Sequence, residues 1–306
     1  MTPKILDGSK AQYIYFPEEQ DTIISRSSYA TLYVGANTDT KEKVVLKKIS
    51  TALFANDAQR FKFFATVCNE VKLDGLVNIM DMVFDESDIY LVCEFISGRT
   101  LKDLIYDPKF MDYRNDIFFM RIITNCLETL SFIHRLKLSH GNLTPENIIV
   151  QWNECEEFDF MHPTAKILSI ESIKLGFKNM QLNRRTTNTL YQSPEQLIGF
   201  EDLVGDYSDI YSMGLIMYEV LAKEPVFSPS KPVVKRQQVF GKIAQHYRIG
   251  DEAHAIIEKA TVRPLPFIPG AISEDAQKIM VLKALNDRYQ SAEAFKKDAD
   301  ELIETL

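Results

Sequence analysis

Residues 115–136, NDIFFMRIITNCLETLSFIHRL, form a run that is long, apolar and periodic at helical spacing. A helix of that kind has little to offer water and has to be buried among other elements. The chain must therefore contain a helical unit large enough to enclose it. Later segments supply the enclosure. SDIYSMGLIMYEVLA (208–222) and SEDAQKIMVLKAL (273–285) repeat the pattern. EAFKKDADELIETL (293–306) reads as an amphipathic helix after the start signal Ser291.

The first part of the chain has another texture. From about residue 12 to residue 96, the runs Tyr13-Ile14-Tyr15-Phe16, YVGA, KVVLKKI and IYLVCEF are rich in strand-forming residues and separated by polar turns. DAQRFKFFATVCNEVKL (57–73) interrupts them with Phe61, Phe64, Ala65, Cys68 and Val71 at helical spacing, which predicts one amphipathic helix. A small β-rich part followed by a larger helical part is an α+β pattern. The expected division is 1–96 for a five-stranded sheet with one helix and 97–306 for the helical part.

Composition narrows the function classes. The chain has 306 residues and a net charge of −8, from 35 basic and 43 acidic side chains. That balance gives no broad attraction to nucleic acid or anionic lipid. No apolar stretch approaches the ~18–20 residues of a membrane span. The first twenty residues lack the apolar core of a signal peptide. Cys68, Cys93, Cys126 and Cys155 form no CxxC pair, so neither a zinc site nor a disulfide frame is signalled. The expected location is the cytoplasm.

Five motifs then carry a resemblance. HGNLTPENIIV (140–150) resembles the protein-kinase catalytic loop HRDLKPENILV. KVVLKKI (43–49) resembles the VAIK strand, YQSPEQL (191–197) the APE segment, and SDIYSMGLIMYEVL (208–221) the SDIYSLG helix. DRYQSAEAF (287–295) resembles the closing RYQSAEE motif of bacterial Ser/Thr kinases. They occur in kinase order and cover nearly the whole chain. The resemblance implies a bilobal kinase-like α+β fold.

The positions that would touch the reaction depart from the family's pattern. The catalytic-loop Asp, which accepts the substrate hydroxyl's proton, is matched by Asn142. A carboxamide can hydrogen-bond but cannot serve as a base near neutral pH. The neighbouring Arg is matched by Gly141 and the loop Lys by Thr144, whereas Asn147 is retained. Aligning AKILSIES (165–172) with the metal-binding segment places Ser169 at its Asp. A neutral hydroxyl is a poor ligand for hard Mg²⁺. Glu171 carries the charge, but two residues away, and Glu154, Glu156, Glu157 and Asp159 sit in an acidic insert that reads as a solvated loop. The glycine-rich loop is replaced by SRSSYATL (25–32), with Ser25, Ser27 and Ala30 at the glycine positions.

The nucleotide-binding side is partly kept. Lys47 matches the family's strand lysine and is expected inward, with Lys48 on the opposite face. Its helix glutamate would fall near Val67, and the nearest acid is Glu70. Leu32, Val45, Glu94, Ile96 and Asn147 complete a weak nucleotide site, with Cys93 at the gatekeeper position, and no metal is expected unless Asn147 and Glu171 hold one. The bracing positions match fully: His140, Asp209 and the Glu195–Arg288 pair.

This division between retained bracing and altered chemistry implies, through the resemblance, a pseudokinase. The expected role is a protein-binding scaffold or allosteric regulator rather than an enzyme, with no cofactor beyond ATP bound weakly without Mg²⁺. The alternatives are a nucleotide sensor, or an unconventional phosphotransferase using Glu171 or the acidic insert. Expected partners are proteins, such as an active kinase or a signalling or assembly component, and not nucleic acid. Thr186, Thr187 and Thr189 are candidate phosphorylation sites beside Arg184-Arg185, and KPVVKRQQ (231–238) is a second basic patch.

Overall fold

A computed structural model describes residues 2–27, 30–51, 58–85, 88–112, 115–152, 159–169, 174–175, 189–227, 234–263 and 273–306. The expectations placed on Glu171, on Thr186 and Thr187, on Glu154, Glu156 and Glu157, and on residues 231–233 lie outside the described residues. The chain divides into two units, the first over Met1–Ser97 and the second over Gly98–Gln181 and Asn188–Leu306.

Alternation of apolar and polar residues builds the first unit. Its strands are β1 (Lys4–Asp7), β2 (Gln12–Tyr15), β3 (Ile23–Arg26), β4 (Ala30–Asn37), β5 (Lys43–Ser50), β6 (Ile79–Asp85) and β7 (Asp88–Glu94), with α1 (Ala58–Glu70) between β5 and β6. The order is β1-β2-β4-β5-β7-β6, and β3 also pairs with β4. Every pairing is antiparallel. Among the described residues the sheet thus has seven strands, not the expected five. The difference is the hairpin of β1 and β2, which turns through residues 8–11, where the Gly8 N–H donates to the Ala11 carbonyl at 2.9 Å. The sheet curls until its ends meet, with Lys4 Nζ of β1 on Asp85 Oδ2 of β6 at 2.5 Å. Leu6, Tyr13, Tyr15, Tyr33, Val44, Leu46, Val83, Tyr90 and Val92 pack together inside the curl.

The second unit is built round two helices. The expected run appears as α3 (Asp116–Arg135), and SDIYSMGLIMYEVLA lies within α5 (Asp206–Ala222). Every residue from Ser208 to Ala222 is buried, as an all-round apolar helix requires. Around them stand α2 (Leu101–Ile105), α4 (Pro194–Ile198), α6 (Val234–Phe240), α7 (Asp251–Ala260), α8 (Glu274–Asp287) and α9 (Ala292–Ile303). Ser291 caps α9 as expected, its hydroxyl accepting the Ala294 N–H at 3.1 Å. Short strands complete the unit: β8 (Gly98–Thr100), β10 (Ile148–Gln151) and β11 (Ala165–Ile167) form one sheet, and β9 (Leu138–Ser139) pairs with β12 (Lys174–Leu175). No helix among the described residues is long and apolar enough to cross a membrane.

Candidate functional site

In the first unit, strand register gathers the expected nucleotide-binding residues on one face. Leu32 stands opposite Lys47, and Lys47 opposite Leu91, so the three form a row across β4, β5 and β7. Val45 stands opposite Cys93 in the next row on that face. Lys47 is 7% exposed, inward as the register predicts, while Lys48 on the other face pairs with Asp88 at 2.8 Å. Glu94 is fixed by Asn78, whose N–H donates to its carboxylate at 2.7 Å and whose carbonyl accepts its N–H at 2.9 Å. Ile96 is buried close by in sequence. On α1, Val67 is buried and Glu70 is exposed.

The phosphate-loop positions show what serine does where the family pattern has glycine. Ser27 closes the turn between β3 and β4. Its N–H donates to the Ala30 carbonyl at 2.9 Å, and its hydroxyl lies 3.1 Å from the Ala30 N–H. The Ala30 amide, a donor that a phosphate could otherwise use, is thereby satisfied within the turn.

In the second unit, residues 140–147 are held by the first turn of α5. Asp209 is almost fully buried and accepts the N–H groups of His140 and Gly141, each at 2.7 Å. His134 Nε2 lies 3.0 Å from the same carboxylate. Burial alone would raise the Asp209 pKa, but His134 and the amides outweigh it and hold it below the usual range. Burial pulls the His134 pKa down, and Asp209 more than reverses that, so it lies above the ordinary histidine value. Gly141 has φ 74°, in the left-handed region that glycine adopts without steric cost. Its carbonyl accepts from Gln196 Nε2 at 2.9 Å. His140 Nε2 meets the Leu168 carbonyl at 2.7 Å, tying the loop to the segment before Ser169.

Asn142, Asn147 and Ser169 come together. Asn147 Nδ2 donates to the Asn142 carbonyl at 2.9 Å, and Ser169 Oγ donates to Asn147 Oδ1 at 3.3 Å. Ser169 itself has φ 62°, unusual for a residue with a side chain, and such backbones cluster at functional sites. Thr144 is buried. Asn147 Oδ1 and Ser169 Oγ are neutral and bonded to each other, a donor set that does not fit Mg²⁺. Among the described residues no three His, Cys, Asp or Glu side chains group to hold a metal.

The bracing pair is bidentate. Arg288 meets both oxygens of Glu195, at 2.8 and 3.1 Å, with both side chains fully buried. Ser208 Oγ adds a bond to Glu195 at 2.8 Å. Thr189 is exposed on a short turn (Thr189–Tyr191), and its carbonyl accepts from Gln238 Nε2 at 2.7 Å. Three features escaped the motif reading: the His134–Asp209 bond, the Gln196 clamp, and a buried carboxylate, Glu219. Glu219 accepts from Tyr191, from Tyr106 at 2.6 Å and from Lys102 at 3.1 Å. Burial, together with Glu219, raises the pKa of both tyrosines. A lone acid inside the apolar run at 210–222 was the available signal for it.

The family model for the protein kinase domain matches residues 19–301. The chain belongs to the protein kinase family. This kinase domain is 28% identical over 287 residues to the probable serine/threonine-protein kinase PknB of Lactococcus lactis, covering 91% of the chain and 44% of that protein. It is 23% identical over 309 residues to the serine/threonine-protein kinase PknD of Chlamydia abortus, covering 92% of the chain and 30% of that protein. The chain thus spans less than half the length of these curated relatives. Its fold matches the crystal structure of Rad53 1–466 in complex with AMP-PNP, with a TM-score of 0.64 at 19% identity, over 91% of this chain and 63% of that one. One expectation is corrected. The domain was expected not to be an enzyme, yet relatives along nine-tenths of its length are named serine/threonine-protein kinases, which points to an enzyme. Substituted motif positions alone do not decide activity, because kinase catalysis rests on positioning together with electrostatic stabilisation, and the frame that positions the loop is retained.

Proposed function

We propose that this kinase domain is a phosphotransferase of low turnover that also works as a protein-binding regulator. The observation that carries the reading is the catalytic-loop frame. Asp209 fixes the backbone at His140 and Gly141, and Asn147 fixes the carbonyl of Asn142. Phosphoryl transfer from ATP passes through a loose transition state in which the enzyme chiefly positions and stabilises. The substrate oxygen bonds to the γ-phosphorus, the bond to the β-phosphate oxygen breaks, and the electron pair leaves with ADP. The Asn142 carboxamide oxygen accepts a hydrogen bond from the attacking hydroxyl and orients it. It takes no proton, which passes instead to the phosphoryl oxygens or to water. Each missing electrostatic group costs ~10²–10⁴ in rate, and the costs need not multiply.

ATP is proposed to bind weakly through Leu32, Val45, Lys47, Glu94 and Ile96, and no step is routed through a metal at Ser169. The regulatory role, with an active kinase or another signalling or assembly protein as partner, is supported by the fully kept bracing. The test is transfer of radiolabel from ATP to the domain and to a generic substrate. Transfer is expected above background, lost in Lys47→Met and raised in Asn142→Asp. Transfer that is absent, or indifferent to Lys47→Met, overturns the reading. Pull-downs from native extract with and without ATP test the regulatory half, and recovery of the same proteins by an unrelated bait dismisses it.

A further inference from the structure

The hairpin of β1 and β2 lies outside residues 19–301, the part shared with the family. Besides the β2–β4 ladder, the Lys4–Asp85 pair and the Tyr15–Tyr90 hydroxyl contact, its loop is fastened at one buried carboxylate. Asp81 on β6 is 4% exposed, and three groups of the hairpin converge on its carboxylate. Ser9 Oγ donates at 2.7 Å, the Lys10 N–H at 2.9 Å and Tyr13 Oη at 3.3 Å. Gly8 is needed for the approach, since a Cβ there would lie 2.3 Å from Asp81 Oδ2 and 2.8 Å from the Ala11 carbonyl. Burial pushes the Asp81 pKa up, but these donors, together with the Met82 N–H at 2.9 Å, outweigh it and hold it below the usual carboxylate range.

The fastening bears on Lys47 through two strands. Leu6, Tyr13 and Tyr15 of the hairpin share a core with Val44 and Leu46 of β5 and with Tyr90 and Val92 of β7. Lys47 and its cross-strand neighbour Leu91 alternate with those residues, so they stand on the opposite face of the same two strands. Asp81 itself is paired with Val92. Hairpin, β5 and β7 therefore form layers with Lys47 on the far side.

We infer that the hairpin is a latch with Asp81 as its catch, and that Asp81 acts as a positioning residue for Lys47. Closed, the latch holds β5 and β7 against the hairpin core and keeps Lys47 buried in its row. Open, it leaves the core of the curl uncovered and lets β5 shift. The latch matters for transfer only through the role proposed for Lys47, whereas its test needs neither nucleotide nor transfer.

The test is acetylation footprinting of the whole chain by mass spectrometry, with hydrogen exchange over residues 4–15, in wild type, Asp81→Asn and Ser9→Ala. Asp81→Asn is expected to deprotect the hairpin amides and to speed Lys47 acetylation about five-fold or more, the effect of losing one net hydrogen bond of ~1 kcal/mol. Ser9→Ala, at an exposed site, should do the same more weakly and keeps the test open if Asp81→Asn fails to fold. Lys297, 76% exposed on α9 in the other unit, serves as the unchanged reference. Hairpin opening with Lys47 acetylation unchanged, or a hairpin that stays protected in both variants, overturns the inference.

Discussion

At the residue scale, magnitudes separate the groups that hold the second unit from those that face the reaction. Arg288 and Glu195 are fully buried and bidentate. Removing one partner of such a pair leaves an uncompensated buried charge, so Arg288→Ala is expected to cost about 3–5 kcal/mol in a denaturant titration. His134 gives a pH signature whose sign is fixed by its partner. Asp209 raises its pKa in the fold, so its contribution is complete below the unfolded value and fades as pH rises through the folded one. The stability difference between wild type and His134→Gln should therefore be largest below the ordinary histidine range and shrink as pH rises past it, and a difference that grows with pH would contradict the pairing with Asp209. Asn142→Asp restores a carboxylate on a frame that is already built and should raise transfer about ten-fold or more in the radiolabel assay. Much of this was legible in the motifs, because Asp209, Glu195 and Arg288 are chemically particular residues at particular spacings. His134 was not, since one histidine in a helix carries no spacing signal and its partner lies 75 positions away.

At the element scale, helices were easier to read than the sheet. α3 and α9 carry their own periodicity and α5 is apolar all round, so local sequence reveals them. By contrast, α8 buries only Val281, Ala284 and Leu285 and leaves Ile279 and Leu282 exposed, contrary to the buried pattern expected of it. The latch hairpin was half seen, because Tyr13-Ile14-Tyr15 reads as strand while the four residues of β1 are too few to show a pattern. What identifies β1 is its partner β2 across the turn at residues 8–11, and pairing is a property of two segments. Packing between helices sets another prediction. A Cβ on Gly214 of α5 would come within 2.7 Å of Thr261 Cγ2 and 2.8 Å of Ala260 Cβ at the end of α7. Alanine gains ~1 kcal/mol in helix propensity over glycine, whereas overpacking a close core contact costs ~1–3 kcal/mol. Gly214→Ala should thus be neutral to destabilising by thermal melting, and a raised melting temperature would show that α7 yields freely. Ser291→Ala removes the cap of α9 and should cost about 1 kcal/mol.

At the scale of the whole molecule, the family was legible from ordered motifs, whereas the direction of the functional inference was not settled by them. Motif letters report which side chain occupies a position. They do not report that Asn147 still orients Asn142 or that Gln196 grips Gly141. The curl of the first unit has a consequence in time. Lys4 is bonded to Asp85, 81 positions further along. At ~5–20 residues per second, a ribosome leaves the first strand waiting about 4–16 s before its partner is made. During that interval the hairpin has β4 to pair with, but β6, against which β1 closes the curl, has not been made. Nascent chains stalled before Asp85 emerges should be cut readily by protease within residues 4–15, and chains released past it should resist.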